Sequence, residues 1–167
     1  GLSTMEEGLA QQREIGTIED FPVNICLHAE ALARAGHPER AADELAVNRA
    51  AFEEAGLSFW MPEMLRMQAE MILLGDPGST EPAIALLDGA ARLAQIQGVP
   101  MLALRIAVTI ARLEARLGER ESAATRLVAA LSRIEEADGG ADISAARILL
   151  DRHDSPRRGG LSYRTSS

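Results

Sequence analysis

The chain has 167 residues, a formal net charge of −8, 47% hydrophobic residues and 3% aromatic residues. The acidic balance disfavours a nucleic-acid partner, because phosphate binding needs a basic face that releases counterions. No apolar run is as long as a membrane span, and no signal peptide opens the chain. The single cysteine, Cys26, excludes an internal disulfide and suits a reducing cytoplasm. These features predict a cytoplasmic protein with neither a nucleic-acid nor a membrane partner.

A short pattern occurs three times, beginning at Gly36, Gly78 and Gly118. In each copy Glu, Ala and Leu follow the glycine at the same three positions, as in Glu39, Ala41 and Leu45 of the first copy. A second glycine set alternates with the first at Gly16, Gly56, Gly98 and Gly140. Glycines that alternate in this way, with helix-period sequence between them, are typical of stacked helix pairs. We therefore expect an all-α, open, right-handed stack of antiparallel helix pairs.

The helical periodicity and the turn residues predict about eight helices. In chain order they cover about 3–15, 21–35, 38–55, 58–74, 80–97, 100–117, 119–137 and 142–153. Residues 1–153 would form the helical-repeat domain. Residues 154–167 lack periodicity and are predicted to be a disordered tail.

The first predicted helix corresponds to the second helix of a pair. Residues 3–15 align with residues 43–55, one repeat later in the chain. The chain is therefore expected to begin within a repeat and to be a fragment of a longer protein. A helix without its pair partner should expose apolar side chains, here Met5 and Leu9.

Four segments carry a family resemblance: Trp60–Gly75 (WMPEMLRMQAEMILLG), Ala90–Ala94 (AARLA), Leu104–Leu113 (LRIAVTIARL) and Asp142–Leu150 (DISAARILL). The chain resembles the tetratricopeptide-like C-terminal repeat regions of large bacterial signalling proteins. In that family the repeats follow a central ATPase module. The output domain is a nucleotide cyclase, such as an adenylate cyclase, or a DNA-binding transcriptional regulator. The resemblance implies a regulatory repeat region, with the output domain outside this chain.

One stripe on the helix predicted over 58–74 is rich in methionine. Its members are Trp60, Met64, Met67, Met71 and Leu74. A methionine-rich stripe can form an adaptable apolar groove for a peptide or helix. The alternative, which the amphipathic spacing favours, is a buried seam between neighbouring helices.

Two sets of equivalent positions in successive first helices of the pairs are mostly charged. One set is Glu30, Glu70 and Arg112; the other is Val23, Glu63 and Arg105, of which only Val23 is uncharged. Arg66 lies one helical turn from both Glu63 and Glu70. The candidate charged strip consists of Glu30, Glu63, Arg66, Glu70, Arg105 and Arg112. It could bind a ligand carboxylate or a partner's charges, or it could form inter-repeat ion pairs of Glu63 or Glu70 with Arg105 or Arg112. The second interpretation is favoured, since acids facing arginines satisfy one another.

No catalytic, cofactor-binding or metal-binding set is predicted, because no phosphate loop, nucleophile motif or Cys/His spacing is present. The main hypothesis is a non-catalytic region that binds a protein or peptide, or the ATPase and output domains of its own parent protein. The alternative is a small-molecule sensor or enzyme with a pocket near Trp60, Arg66 and Arg105. A homodimer contact is a further possibility.

Overall fold

The computed structural model describes residues 1–16, 21–134 and 140–154, which form eight α-helices and their connections and contain no strand. The helices are α1 (Leu2–Ile15), α2 (Phe21–Arg34), α3 (Pro38–Glu54), α4 (Met61–Gly75), α5 (Thr80–Gln97), α6 (Pro100–Leu117), α7 (Arg120–Leu131) and α8 (Ala141–Asp154). The predicted all-α class is confirmed. The predicted tail lies outside the described residues, apart from Asp154, which ends α8.

Five of the predicted helix breaks coincide with glycines that have positive φ, at Gly16, Gly36, Gly56, Gly98 and Gly118. Gly98, with φ 66°, ends α5, and Gly118, with φ 90°, ends α6. Other residue types adopt this left-handed conformation at a cost, so glycine at these positions ends the helix where the repeat requires. Proline lies in the first turn of α3, α4 and α6, where its missing N–H breaks no helical hydrogen bond.

Two predicted boundaries are wrong by several residues. Helix α4 begins at Met61 rather than near Ser58, because the Met61 amide donates to the Ser58 carbonyl (3.2 Å) in a tight turn before the helix. Helix α7 ends at Leu131 rather than near residue 137. There the Ser132 hydroxyl donates to the Ala129 carbonyl (3.0 Å), and the next amides donate three residues back instead of four. Such side-chain and 3₁₀-type bonds compete with the regular helix.

The helices pack in pairs and in a row. Each helix contacts the next one in the chain, and the first helices of the pairs also contact each other in the order α2, α4, α6, α8. The equivalent residues Leu45, Leu87 and Leu127 are buried in three successive core clusters. Burying each of these side chains contributes about 1.5–3 kcal/mol relative to leaving it exposed. The repeated leucine therefore anchors each pair to the core.

Helix α1 is packed more closely than predicted. Leu9 is buried in the same core cluster as Phe21 and Phe52, so the expectation that Leu9 is exposed is wrong. Its side chain lies against the following helix pair. Met5 is partly exposed. None of the described helices combines the length and hydrophobicity that crossing a membrane requires.

Candidate functional site

Helix α4 carries a buried arginine between two carboxylates of its own helix. Glu63, Arg66 and Glu70 are three and four residues apart, a spacing that brings side chains together on one helical face. The Arg66 Nε and Nη2 atoms each donate to a different oxygen of Glu63 at 2.8 Å. Arg66 Nη1 lies 2.7 Å from Glu70 Oε1. Arg66 is only 8% exposed, and its guanidinium is paired with a carboxylate on both sides, as a buried charge requires.

The protonation of these groups follows from that pairing. Burial by itself would raise the pKa of Glu63, but the hydrogen bonds and charge of Arg66, together with Arg105, outweigh it and lower the pKa. Burial likewise opposes the charge on Arg66, yet Glu63 and Glu70 raise the pKa of that guanidinium. Both partners are therefore charged at neutral pH, and the pair is a true ion pair.

The ion pair extends from α4 to two further helices. Arg105 of α6 places Nη1 3.3 Å from Glu63 Oε1 and donates from Nε to Asp142 Oδ2 of α8 at 3.0 Å. The buried Thr109 hydroxyl of α6 donates to Glu70 Oε1 at 2.8 Å. These contacts link α4, α6 and α8. We call Glu63, Arg66, Glu70, Arg105, Thr109 and Asp142 the charged network.

Of the alternative ion pairs predicted between repeats, Glu63 or Glu70 with Arg105 or Arg112, the structure contains one. Glu63 pairs with Arg105, but the predicted pair of Glu70 with Arg112 is not formed. The Glu70 carboxylate is instead occupied by Arg66 and Thr109. Arg112 is exposed and has no ion-pair or hydrogen-bond partner within residues 1–16, 21–134 and 140–154.

Glu30 does not join the charged network. It pairs with Arg34, four residues later on α2, at 2.8 Å, and both side chains are substantially exposed. Cys26 occupies the position on α2 that Arg66 occupies on α4. Burial, with the nearby Glu63 carboxylate, raises the pKa of the Cys26 thiol to about 12. The thiol is therefore protonated at neutral pH and behaves as a small apolar side chain.

The methionines of the predicted apolar stripe lie in the interior. Met64, Met67 and Met71 are buried in the first core cluster. They form the seam between α4 and the preceding helix pair and offer no exposed groove. Trp60 is half-buried and packs edge-on against the ring of Phe59.

The proposed small-molecule pocket near Trp60 would need arginines free to bind a ligand. Arg66 is held by Glu63 and Glu70, and Arg105 by Glu63 and Asp142. Neither guanidinium is unpaired, so the geometry does not favour a ligand site there.

A shallow groove between α4 and α6 lies beside the charged network. It has a volume of about 190 Å³ and is lined by Glu70, Leu73, Leu74, Thr109, Arg112, Leu113 and Arg116. Leu74 is 58% exposed. Within the described part of the chain, the exposed Arg116 donates a single long hydrogen bond, 3.5 Å, to the Pro77 carbonyl. The α4–α6 groove thus combines an exposed aliphatic side chain with two accessible cations.

Two further buried polar clusters were not predicted as clusters. Glu114 of α6 is buried and accepts hydrogen bonds from Arg126 Nη2 at 2.7 Å and from the Ser122 hydroxyl at 2.9 Å. His28 of α2 is buried, and its Nδ1 lies 2.7 Å from Glu44 Oε2. The signal in the sequence is a polar residue on the apolar face of an amphipathic helix, where it needs a partner when buried.

Comparisons with known proteins give one informative match. The chain is similar to an uncharacterized protein of Rhizobium meliloti (strain 1021), at 34% identity over 108 residues. That match covers 63% of this chain but only 10% of the relative's length. No protein-family model and no solved structure matches the chain.

Proposed function

We propose that this chain is a non-catalytic, tetratricopeptide-like repeat region of a larger bacterial signalling protein or transcriptional regulator. It binds an acidic protein segment in the α4–α6 groove, from a partner or from the ATPase and output domains of the same polypeptide. The proposal depends mainly on one observation: Arg112 is exposed and has no partner among the described residues, and it lines the same groove as the exposed Leu74.

The repeat geometry supports the tetratricopeptide-like part of the proposal. Helix pairs recur at a nearly constant interval along the chain, and the first helices contact one another in sequence. Stacked helix pairs bind along the surface formed by their aligned helices. The match to a relative of which it covers only 10% supports a role within a large polypeptide.

The lining of the groove favours a partner with carboxylates around an aliphatic side chain. Arg112 and Arg116 can each donate charge-assisted hydrogen bonds to a carboxylate. Leu74 provides an exposed apolar contact beside the buried Leu113, and Glu70, held by the charged network, lines one wall. The whole chain carries a charge of −8, so its overall field does not attract an acidic partner. Arg112 and Arg116 attract carboxylates only locally, and this local attraction sets the orientation and specificity of binding.

A charge-reversal experiment tests this proposal. Two peptide libraries present the same leucines flanked by either glutamate or lysine, and binding is measured by fluorescence anisotropy. The wild-type chain should prefer the glutamate library, and the double variant Arg112→Glu, Arg116→Glu should prefer the lysine library. Arg92→Glu, an exposed arginine of α5 outside the groove, is the matched control and should keep the wild-type preference. An unchanged preference in the double variant, or no binding to either library, would contradict the proposal.

A further inference from the structure

The first helix of each complete pair occupies the same place in the stack. Helix α2 contacts both α3 and α4, helix α4 contacts α5 and α6, and helix α6 contacts α7 and α8. Each first helix therefore packs on two helices at once: the second helix of its own pair and the first helix of the next pair. Helix α1 is the equivalent of α3 one repeat earlier, and it contacts α2. The α1–α2 junction is thus the equivalent of the α3–α4 junction, but no third helix of the described chain covers it.

An open groove lies at this junction. It has a volume of about 270 Å³ and is lined by Met5, Gly8, Leu9, Gln12, Asn24 and Leu27. Leu27 is 50% exposed, whereas Met67, its equivalent in the next repeat, is 2% exposed. Likewise Met5 is partly exposed, whereas its equivalent Leu45 is fully buried. The positions that α2 covers in the next repeat are left open here.

The filled junctions show what kind of segment fits. The buried side of α2 carries Ile25, Ala29 and Leu32, and α4 carries Leu65, Ala69 and Ile72 at the same spacing. A large aliphatic residue, an alanine four residues later and a second aliphatic residue three residues after that form one helical face. The alanine allows the close approach of the neighbouring helix.

We propose that the α1–α2 groove binds an amphipathic α-helix with this aliphatic–alanine–aliphatic face, placed on α1 and α2 as α2 is placed on α3 and α4. The aliphatic side chains of the incoming helix pack on Met5 and Leu27, beside the buried Leu9. The Asn24 side chain donates to Gln12 Oε1 at 2.9 Å, so the centre of the groove is polar, whereas the equivalent residues Phe52 and Met64 are apolar. The groove is separate from the α4–α6 groove, and occupancy of one requires nothing of the other.

A suitable helix can be added to the chain itself by extending the repeat at its N-terminus. Because Gly1 is equivalent to Ala41, a copy of residues 20–40 placed directly before Gly1 continues the repeat in register. The added segment then presents a copy of α2 to the groove. Tethering makes the local concentration of the helix high. The extended chain should melt more than about 4 °C above the unextended chain. Amide exchange in α1 should also become slower, because its opening would expose the new contact.

Two variants make the experiment specific. Leu27→Glu in the original α2 should leave the unextended chain nearly unchanged, because this side chain is half-exposed, but should abolish the gain from the added helix. A second extension carries Ile25→Asp and Leu32→Asp in the added copy only, and should give no gain. Equal gains with and without Leu27→Glu, or no gain at all, would overturn the proposal. So would an unextended chain that sediments as a dimer and that Leu27→Glu converts to a monomer, since a second copy would then cover the groove.

Discussion

Two equivalent positions in the charged strip behave differently. Glu63 and Arg105 are separated by one repeat, as are Glu70 and Arg112, and both pairs lie on α4 and α6. The first pair forms, with 3.3 Å between charged atoms, and the second does not. Repeat spacing therefore places residues on facing helices without deciding which of them bind each other.

The difference is caused by local competition for one carboxylate. Arg66 lies four residues before Glu70 on the same helix, and the Thr109 hydroxyl also donates to it. A partner one helical turn away loses less conformational freedom on pairing than a long side chain reaching from another helix. Glu70 is thereby used inside the stack, and Arg112 remains accessible at the α4–α6 groove. The strip has a structural part and a part available for binding.

The largest expected effect is the loss of the buried arginine. Arg66→Met keeps much of the side-chain volume but leaves the largely buried Glu63 without its main partner. Removing one member of a buried ion pair should destabilise the fold by about 3–5 kcal/mol, measured by urea unfolding. The control is Arg34→Met, which removes an exposed pair of the same helix-internal kind with Glu30 and should cost no more than about 0.5 kcal/mol. Similar losses in both variants would mean that burial of Arg66 is not what makes its pair important.

The next effect is a dependence on acid. Because Arg66 and Arg105 hold the pKa of Glu63 below its ordinary value in the folded state, despite the opposing effect of burial, the folded state favours the ionised form. This contribution is complete above the unfolded pKa and is lost as the pH falls through the folded pKa. In urea unfolding at a series of pH values, the wild type should lose stability more steeply below about pH 4.5 than Glu63→Gln, which cannot titrate. Parallel pH profiles would show that Glu63 is not the titrating group.

A smaller effect is expected from the hydroxyl that competes for Glu70. Thr109→Val removes the hydrogen bond to the Glu70 carboxylate and should cost about 1 kcal/mol. The loss should shrink in a Glu70→Gln background, since a neutral amide accepts a weaker bond than a carboxylate. An undiminished loss in that background would attribute the effect of Thr109→Val to packing rather than to Glu70.

The sequence predicted the helices better than the contacts between side chains. The glycines and prolines at helix ends act through local backbone geometry, so the breaks at Gly98 and Gly118 were predictable without knowledge of the packing. The end of α7 depends on the hydrogen bond from the Ser132 hydroxyl to the Ala129 carbonyl. Hydrophobic periodicity does not indicate such a side-chain hydrogen bond. The equivalence of Glu63 and Arg105 was visible in the repeat. The pairing of Glu70 with Arg66 could also be expected from their spacing of four residues. The hydrogen bond from Thr109 could not, because its hydroxyl reaches Glu70 only once α4 and α6 are packed together.

The division of the strip is tested most directly by the coupling free energies of the two equivalent pairs. Double-mutant cycles of Glu63→Gln with Arg105→Ala, and of Glu70→Gln with Arg112→Ala, give these values from urea unfolding. We expect a coupling of roughly 0.5–1 kcal/mol for Glu63 with Arg105, whose side chain is half-exposed. For Glu70 with Arg112 we expect a coupling within about 0.3 kcal/mol of zero. A coupling for Glu70 with Arg112 as large as that for Glu63 with Arg105 would contradict this division of the strip, because Arg112 would then belong to its structural part.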